Sequence, residues 1–286
     1  MLLFHLFVKD SKDANRHVNH LTNVIKNSSS EKTYSQPLNL IFLGLDKTQE
    51  RENTMGSFRT DTIVVMQLDM TEPKIEMLSI PRDSYVYIPL IKRIDKINHA
   101  FSLAGGETGK GFTCSVDTIE NLLGIPVHHF IGMDMEAIEP VVDAAGGVEF
   151  TSDIDLITED CHLIKGEKQL FTGLMAYHYV QYRGTEYGDI DRIARQQKFL
   201  QAFFTQIKDG QKLLNIFGVY DDIKSMNYSD MTLPQIISLA YRFNNITAAD
   251  IDSFILEGDF MNKDGISYWK PNLELKERLI DEHFAE

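Results

Sequence analysis

Three short segments of this sequence gather arginines and aspartates where a strand or a helix begins or ends. Phe58-Arg59-Thr60-Asp61-Thr62 sets Arg59 and Asp61 at the entry to a buried strand, and Ser79-Ile80-Pro81-Arg82-Asp83-Ser84 sets Arg82 and Asp83 just past the end of another. Ligands of open α/β sheets bind where strands end, so charged groups there are candidates for binding or catalysis. The third segment runs from Tyr179 to Gln197, with Arg183 on a turn and Arg192, Arg195 and Gln196 in the first turns of a helix. Arg192 and Gln196 are four apart and share a face. Donors beside a helix N-terminus make an anion site, and the guanidinium fork suits bidentate recognition of phosphate. A salt-bridged surface is the competing account: an exposed Arg-Asp pair contributes little, and Asp189 and Asp191 would merely favour the helix dipole. Spacing alone leaves the two open.

Other chemistry-bearing patterns fail on inspection. Ala104-Gly105-Gly106-Glu107-Thr108-Gly109-Lys110-Gly111 lacks the first glycine and the final Ser or Thr of a P-loop and reads as a flexible surface loop. His128 and His129 are adjacent on an expected strand and so point to opposite faces, which argues against a shared metal. Asp153-Ile154-Asp155 opens like a calcium loop without its sixth-position glycine and reads as a solvated acidic loop. Cys114 and Cys161 have no C-x-x-C spacing and are expected as small buried hydrophobes.

The elements that must position these residues follow from periodicity. Leu38 to Asp46 is a nearly unbroken apolar run, the mark of a strand buried on both faces. Thr62 to Leu68 is a second such strand, and Lys74 to Ile80 alternates as a third, closed by Pro81. Helices are expected over 115–123, with Ser115 as N-cap, over 136–145, over 191–208, near 212–219 and over 233–243; strands over 127–133 and 253–256. The fold class is α/β, a mixed central sheet flanked by helices. No internal repeat or composition break divides residues 38 to 286, which read as one catalytic domain after a polar linker over 9–37.

With 28 basic residues against 42 acidic, the net charge is −14, the wrong sign for wrapping nucleic acid. The apolar start, Met1 to Val8, is shorter than the roughly 20 residues that cross a bilayer and lacks a signal-peptide pattern. It reads either as the start of a cytosolic chain or as the stub of a membrane anchor.

Taken together, Leu43-Gly44-Leu45-Asp46, Arg59-Thr60-Asp61-Thr62, Ser79-Ile80-Pro81-Arg82-Asp83, Lys96-Ile97-Asn98-His99-Ala100 and Asp189-x-x-Arg192-x-x-Arg195-Gln196-Gln197 resemble the motifs of the LytR-CpsA-Psr family of cell-wall ligases, in that family's order. The likeness runs from about Leu38 to Lys208 and is weaker beyond, mainly Gly258-Asp259 and Asp264 to Trp269. It implies a phosphotransferase that moves a wall glycopolymer (teichoic acid, capsule or similar) from undecaprenyl diphosphate to peptidoglycan. It also implies an apolar tunnel for the lipid, a single-pass membrane anchor and an extracellular catalytic domain; the Met1–Val8 stub then reads as that anchor's remnant.

Carried over position by position, the resemblance puts Asp46 and Asp61 around Mg2+ or Mn2+. Arg59, Arg82, Lys96, Arg183, Arg192 and Gln196 would hold the pyrophosphate, and Asp189 would orient the arginines. Arg82, Asp61 and Arg59 would carry catalysis, with Asp61 or Asp46 able to activate the acceptor hydroxyl. Phe101, Leu103, Phe199, Leu200, Phe203 and Phe204 are candidates to line the tunnel. Where the family often has Arg-x-Arg, this chain has Gln181-Tyr182-Arg183, one cation fewer. That departure keeps a second reading alive, a polyprenyl-diphosphate binding module with little transfer; a transcriptional attenuator, without a helix-turn-helix or a basic patch, ranks third.

Overall fold

In a computed structural model, the structure describes residues 37–47, 58–207 and 224–284, with a few positions between 212 and 219. The expected linker and anchor stub, and most of the helix expected near 212–219, lie outside the described residues.

The three leading strands form as their apolar runs require: β1 (Leu38–Leu45), β2 (Thr60–Leu68) and β3 (Ile75–Ser79). After them come the hairpin β4 (Tyr85–Ile88) and β5 (Arg93–Lys96), α1 (His99–Leu103), α2 (Gly111–Leu123), β6 (His129–Asp134) and α3 (Ile138–Ala144). A lobe of short strands follows, β7 (Val148–Thr151), β8 (Leu156–Ile157), β9 (His162–Leu163) and β10 (Lys168–Phe171). The chain continues through α4 (Gly173–Gln181), α5 (Asp189–Gln206), β11 (Asn227–Ser229), α6 (Leu233–Arg242), β12 (Ile251–Ile255), the hairpin β13 (Gly258–Lys263) and β14 (Ile266–Pro271), and α7 (Leu273–His283).

The central sheet has the order β11-β6-β1-β2-β3-β12, with β1–β2 and β2–β3 antiparallel and β1–β6 and β3–β12 parallel. It is the mixed α/β sheet expected. Period-two alternation divides its side chains between two cores. Ile41, Leu43, Ile63, Val65 and Leu78 face Ile119 and Leu123 of α2 and Ile280 of α7. Leu40, Val64, Met66 and Met77 face the other way, toward Leu200 and Phe204 of α5 and Ile236 and Leu239 of α6. A third core, under Val148, Phe171 and Tyr179, takes Phe199 and Phe203 from α5, so one helix stitches the sheet to the small-strand lobe.

Several boundaries differ from those read in the sequence. Ser115 is not an N-cap: α2 begins at Gly111, and Ser115 is buried inside it. Gly111 can start the helix because no side chain intrudes; a Cβ there would stand 2.5 Å from the Gly106 carbonyl oxygen. α5 begins two residues early, at Asp189, because Gly188 takes φ 51° and turns the chain directly into the helix. Both cysteines are free and buried, as expected.

Candidate active site

The site forms where the sheet's β2 and β3 meet α5. Asp61, the second residue of β2, is 6% exposed and turns its carboxylate toward three guanidiniums. Arg82 donates to Asp61 Oδ2, Arg183 Nη2 donates to the same oxygen at 2.8 Å, and Arg192 Nη1 stands 3.7 Å from it. Asp189 is the second anion: its Oδ1 lies 2.7 Å from Arg192 Nη2, 3.4 Å from Arg82 Nε and 3.8 Å from Arg183 Nε. Three guanidiniums against two carboxylates leave a net positive centre.

Each partner is held by the fold. Arg192 Nη2 also donates to the Asp61 carbonyl at 3.1 Å, and one turn on, Gln196 Oε1 accepts from the Thr62 hydroxyl at 3.2 Å. The shared face of Arg192 and Gln196 is thus laid along consecutive residues of β2. Arg195, three residues from Arg192, points elsewhere; it is buried, donates to the Tyr182 carbonyl and reaches the Thr185 hydroxyl at 3.5 Å, pinning the loop that carries Arg183. The family resemblance leaves Arg195 out of the pyrophosphate-binding set. Its role here is to hold the loop.

Burial would lower the pKa of Arg82, yet Asp61, Asp189 and Asp83 outweigh it and the pKa is raised. Arg192 is buried more deeply. Loss of solvent, with repulsion from Arg183 and Arg82, outweighs its aspartates and pushes it down to about 10. A cation so placed gains from any further anion brought beside it. The buried atoms Asp61 Oδ1, Thr60 Oγ1, Asn98 Oδ1 and Arg192 Nε have no hydrogen-bond partner within the protein. Each such group costs about 1–3 kcal/mol if left unsatisfied, which is the expected state of a site built for a ligand.

The remaining site candidates stand at the margin. Among the described residues, the ion pairs to Asp61 and Asp189 come from Arg82, Arg183 and Arg192 and not from Arg59, whose residue is exposed. The Arg59 backbone instead exchanges hydrogen bonds with Asp46, N–H to Oδ1 at 2.7 Å and carbonyl from the Asp46 amide at 3.0 Å. Lys96 pairs with Asp83 at 2.8 Å and lies 5.5 Å from the centre of the Tyr268 ring. Gln196 spends its amide on the Val180 carbonyl at 3.1 Å and forms wall rather than arm.

For a divalent metal, the suitable atom is Asp61 Oδ1, buried and unpartnered beside the arginines. Among the described residues no three acidic or metal-ligating side chains cluster. Magnesium suits such a sparse site, since it is commonly held by one or two carboxylates together with substrate phosphates.

Behind the arginines lies an apolar cavity of about 320 Å³ between the sheet and α5 and α6. Val64, Met66, Phe199, Leu200, Phe203 and Phe204 line it, and Gly44, Thr62 and Gln196 close the end nearest Asp61. Gly44 is required there: a Cβ would stand 2.8 Å from that of its cross-strand partner Thr62. Phe101 and Leu103, expected among the lining residues, are elsewhere. Phe101 packs edge-on against Phe112, and Leu103 is exposed. The acidic Asp153, read as solvated, instead accepts from the Tyr179 hydroxyl at 2.9 Å and from Lys198 at 2.8 Å.

The family model described as LytR_cpsA_psr matches residues 4–283. This chain belongs to the LytR-CpsA-Psr family. A Bacillus anthracis relative named polyisoprenyl-teichoic acid–peptidoglycan teichoic acid transferase TagU is 29% identical over 239 residues, covering 82% of this chain and 74% of the relative. The solved structure of TagT bound to LI-WTA matches with a TM-score of 0.70 and 26% identity, over 89% of this chain and 95% of that one. TagV of B. subtilis, at 23% identity and a TM-score of 0.71 over 87% and 98%, shares the LytR-CpsA-Psr fold.

Proposed function

We propose that this chain transfers an anionic glycopolymer, of the teichoic acid or capsule kind, from a polyprenyl diphosphate carrier to peptidoglycan at the outer face of the cell membrane. The observation that carries the reading is the convergence of Arg82, Arg183 and Arg192 on Asp61 and Asp189, directly beside an apolar cavity. Its support is the matching chemistry of relatives named as teichoic acid transferases and of TagT bound to LI-WTA.

In phosphoryl transfer the protein chiefly positions the groups and neutralises charge. Arg82 and Arg183, the more exposed of the three arginines, would grip the diphosphate oxygens, while Arg192 and the two aspartates fix their geometry. A magnesium or manganese ion held by Asp61 with Asp46 would supply further charge neutralisation at the phosphates. The apolar cavity would take the carrier's tail, since each methylene removed from water contributes about 0.8 kcal/mol.

The test is transfer of radiolabelled polymer from a lipid-linked donor to peptidoglycan fragments by purified protein. Arg82→Ala should lower the rate on the order of 100-fold or more at unchanged melting temperature. Tight donor binding with no product would favour the binding-module reading instead. Activity within a few-fold of the parent would remove Arg82 from the chemistry.

A further inference from the structure

The acceptor of a phosphoryl group is a hydroxyl, and its proton must go somewhere. Asp61 is poorly placed to receive it: Oδ2 accepts from Arg82 and Arg183 and lies 3.7 Å from Arg192, and Oδ1 is buried and is the atom suited to a metal. Asp189 is likewise occupied with arginines. A different pair sits on the rim of the site. His99, the first residue of α1, puts Nδ1 2.9 Å from Oδ1 of Asp95 on β5. An ionised carboxylate only accepts, so the Nδ1 of a neutral imidazole carries the hydrogen and Nε2 keeps its lone pair.

We propose that His99 is the general base that takes the proton of the acceptor hydroxyl, with Asp95 as its positioning residue. The inference rests on the phosphotransfer reading above.

The fold ties this pair to the arginine cluster. The Asn98 amide donates to the Arg82 carbonyl at 3.2 Å, so the residue before His99 is fastened to the loop that presents Arg82. Arg59, two residues before Asp61, repels a charged His99. The charged groups facing the imidazole are thus Asp95 and Lys96 from β5 and Arg59 from the approach to β2. Burial, aided by Arg59 and Lys96, outweighs Asp95 and lowers the His99 pKa, leaving the ring neutral and basic near pH 7. Asp95 is raised by burial but lowered further by the Lys96 amide, Arg93 and His99, and stays ionised. The side chain of His99 is still 23% exposed, enough to meet a hydroxyl arriving from solvent.

The step balances without a further reactant. The hydroxyl proton passes to Nε2 as its oxygen forms a bond to the polymer-bearing phosphorus. The bond from that phosphorus to the bridging oxygen breaks, and its electron pair leaves with polyprenyl phosphate. The imidazolium then releases the proton to water.

The experiment compares parent, His99→Gln and Asp95→Asn in the transfer assay, with melting curves confirming the fold; a Gln variant that fails to fold is replaced by His99→Asn. His99→Gln should lose about 10²–10⁴-fold in kcat with the donor KM within a few-fold. The acid limb of the parent's kcat/KM profile should fall below the ordinary imidazole value of about 6.5 and vanish in the variant. Asp95→Asn should lose less, and imidazole ¹⁵N shifts should show the proton leaving Nδ1. An active parent whose His99→Gln variant keeps its rate, or keeps its acid limb, overturns the assignment while leaving the transferase reading intact. A parent that binds donor but transfers nothing overturns both.

Discussion

Asp61→Asn isolates what holds the arginine cluster together. The substitution keeps the side chain's shape and removes one of the two carboxylates that the three guanidiniums share. What remains is Asp189 alone against Arg82, Arg183 and Arg192. Breaking a buried ion pair from one side costs about 3–5 kcal/mol, because an uncompensated charge is left behind. Arg192, at 2% side-chain exposure, cannot turn to solvent but keeps Asp189 at 2.7 Å, whereas Arg82 and Arg183, at 21% and 44%, recover much of their loss from solvent. The lower figure, about 3 kcal/mol, is therefore expected. At about 2 °C per kcal/mol for a domain of this size, the melting temperature should fall by about 6 °C.

The second half of the prediction separates a ligand site from a structural salt-bridge network. If the cluster is shaped for a diphosphate, inorganic pyrophosphate should substitute for the missing carboxylate. A ligand at a hundred times its Kd stabilises by about 2.7 kcal/mol, nearly the whole deficit. Thermal melts of parent and variant across a pyrophosphate titration, with chelator present to exclude metal effects, give both numbers. The reasoning fails if the variant melts within 1 °C of the parent, or if it melts early and pyrophosphate does not bring it back.

Two further perturbations address the metal and the cavity. Excess chelator should abolish transfer, Mg2+ or Mn2+ should restore it in the parent but not in Asp61→Asn, and calorimetric titration of the parent with Mg2+ should show a site weakened by Asp46→Asn; full turnover in chelator would dismiss the ion. Leu200→Trp, which fills the cavity, should weaken a long-chain donor while sparing a short-chain one, since excluding even two methylenes costs about 1.6 kcal/mol, more than tenfold in affinity; equal effects on both donors would place the tail elsewhere.

Much of the frame was legible because burial on both faces leaves unbroken apolar runs. β1, β2 and β3 appear in the sequence nearly at their true bounds, and the 3.6-residue period gave α5 to within two residues. The hairpins were not legible. β4 and β5 are four residues each, separated by Pro89 and a Lys92 held at φ 57°, too short for alternation to declare itself. α4 escaped because Tyr177, Tyr179 and Val180 lack a polar counter-face; its start is marked only by Thr172, which caps the Met175 amide at 3.3 Å. Within the site, the four-residue step from Arg192 to Gln196 predicted a shared face correctly, since local geometry decides it. That Arg183 reaches Asp61 across 122 residues is a matter of tertiary closure, which only the family resemblance could anticipate.

α5 explains why a polar head and an apolar tail can be served by one element. Its first turn carries Asp189 and Arg192, and its later turns present Phe199, Leu200, Phe203 and Phe204 to the cavity. The twelve steps from Arg192 to Phe204 span about 18 Å at 1.5 Å per residue, so charge and apolar surface lie along a single rigid axis. Arg192 and Gln196 keep the upper part of that axis pressed to β2, while Leu200 and Phe204 pack into the second core and Phe199 and Phe203 into the third. A helix anchored in this way on both sides cannot tilt its charged end without disturbing its apolar end. A small free anion would need only the first turn. On the proposed reading, an amphipathic phosphate ester longer than about 18 Å would use the whole helix, where a soluble phosphate would not.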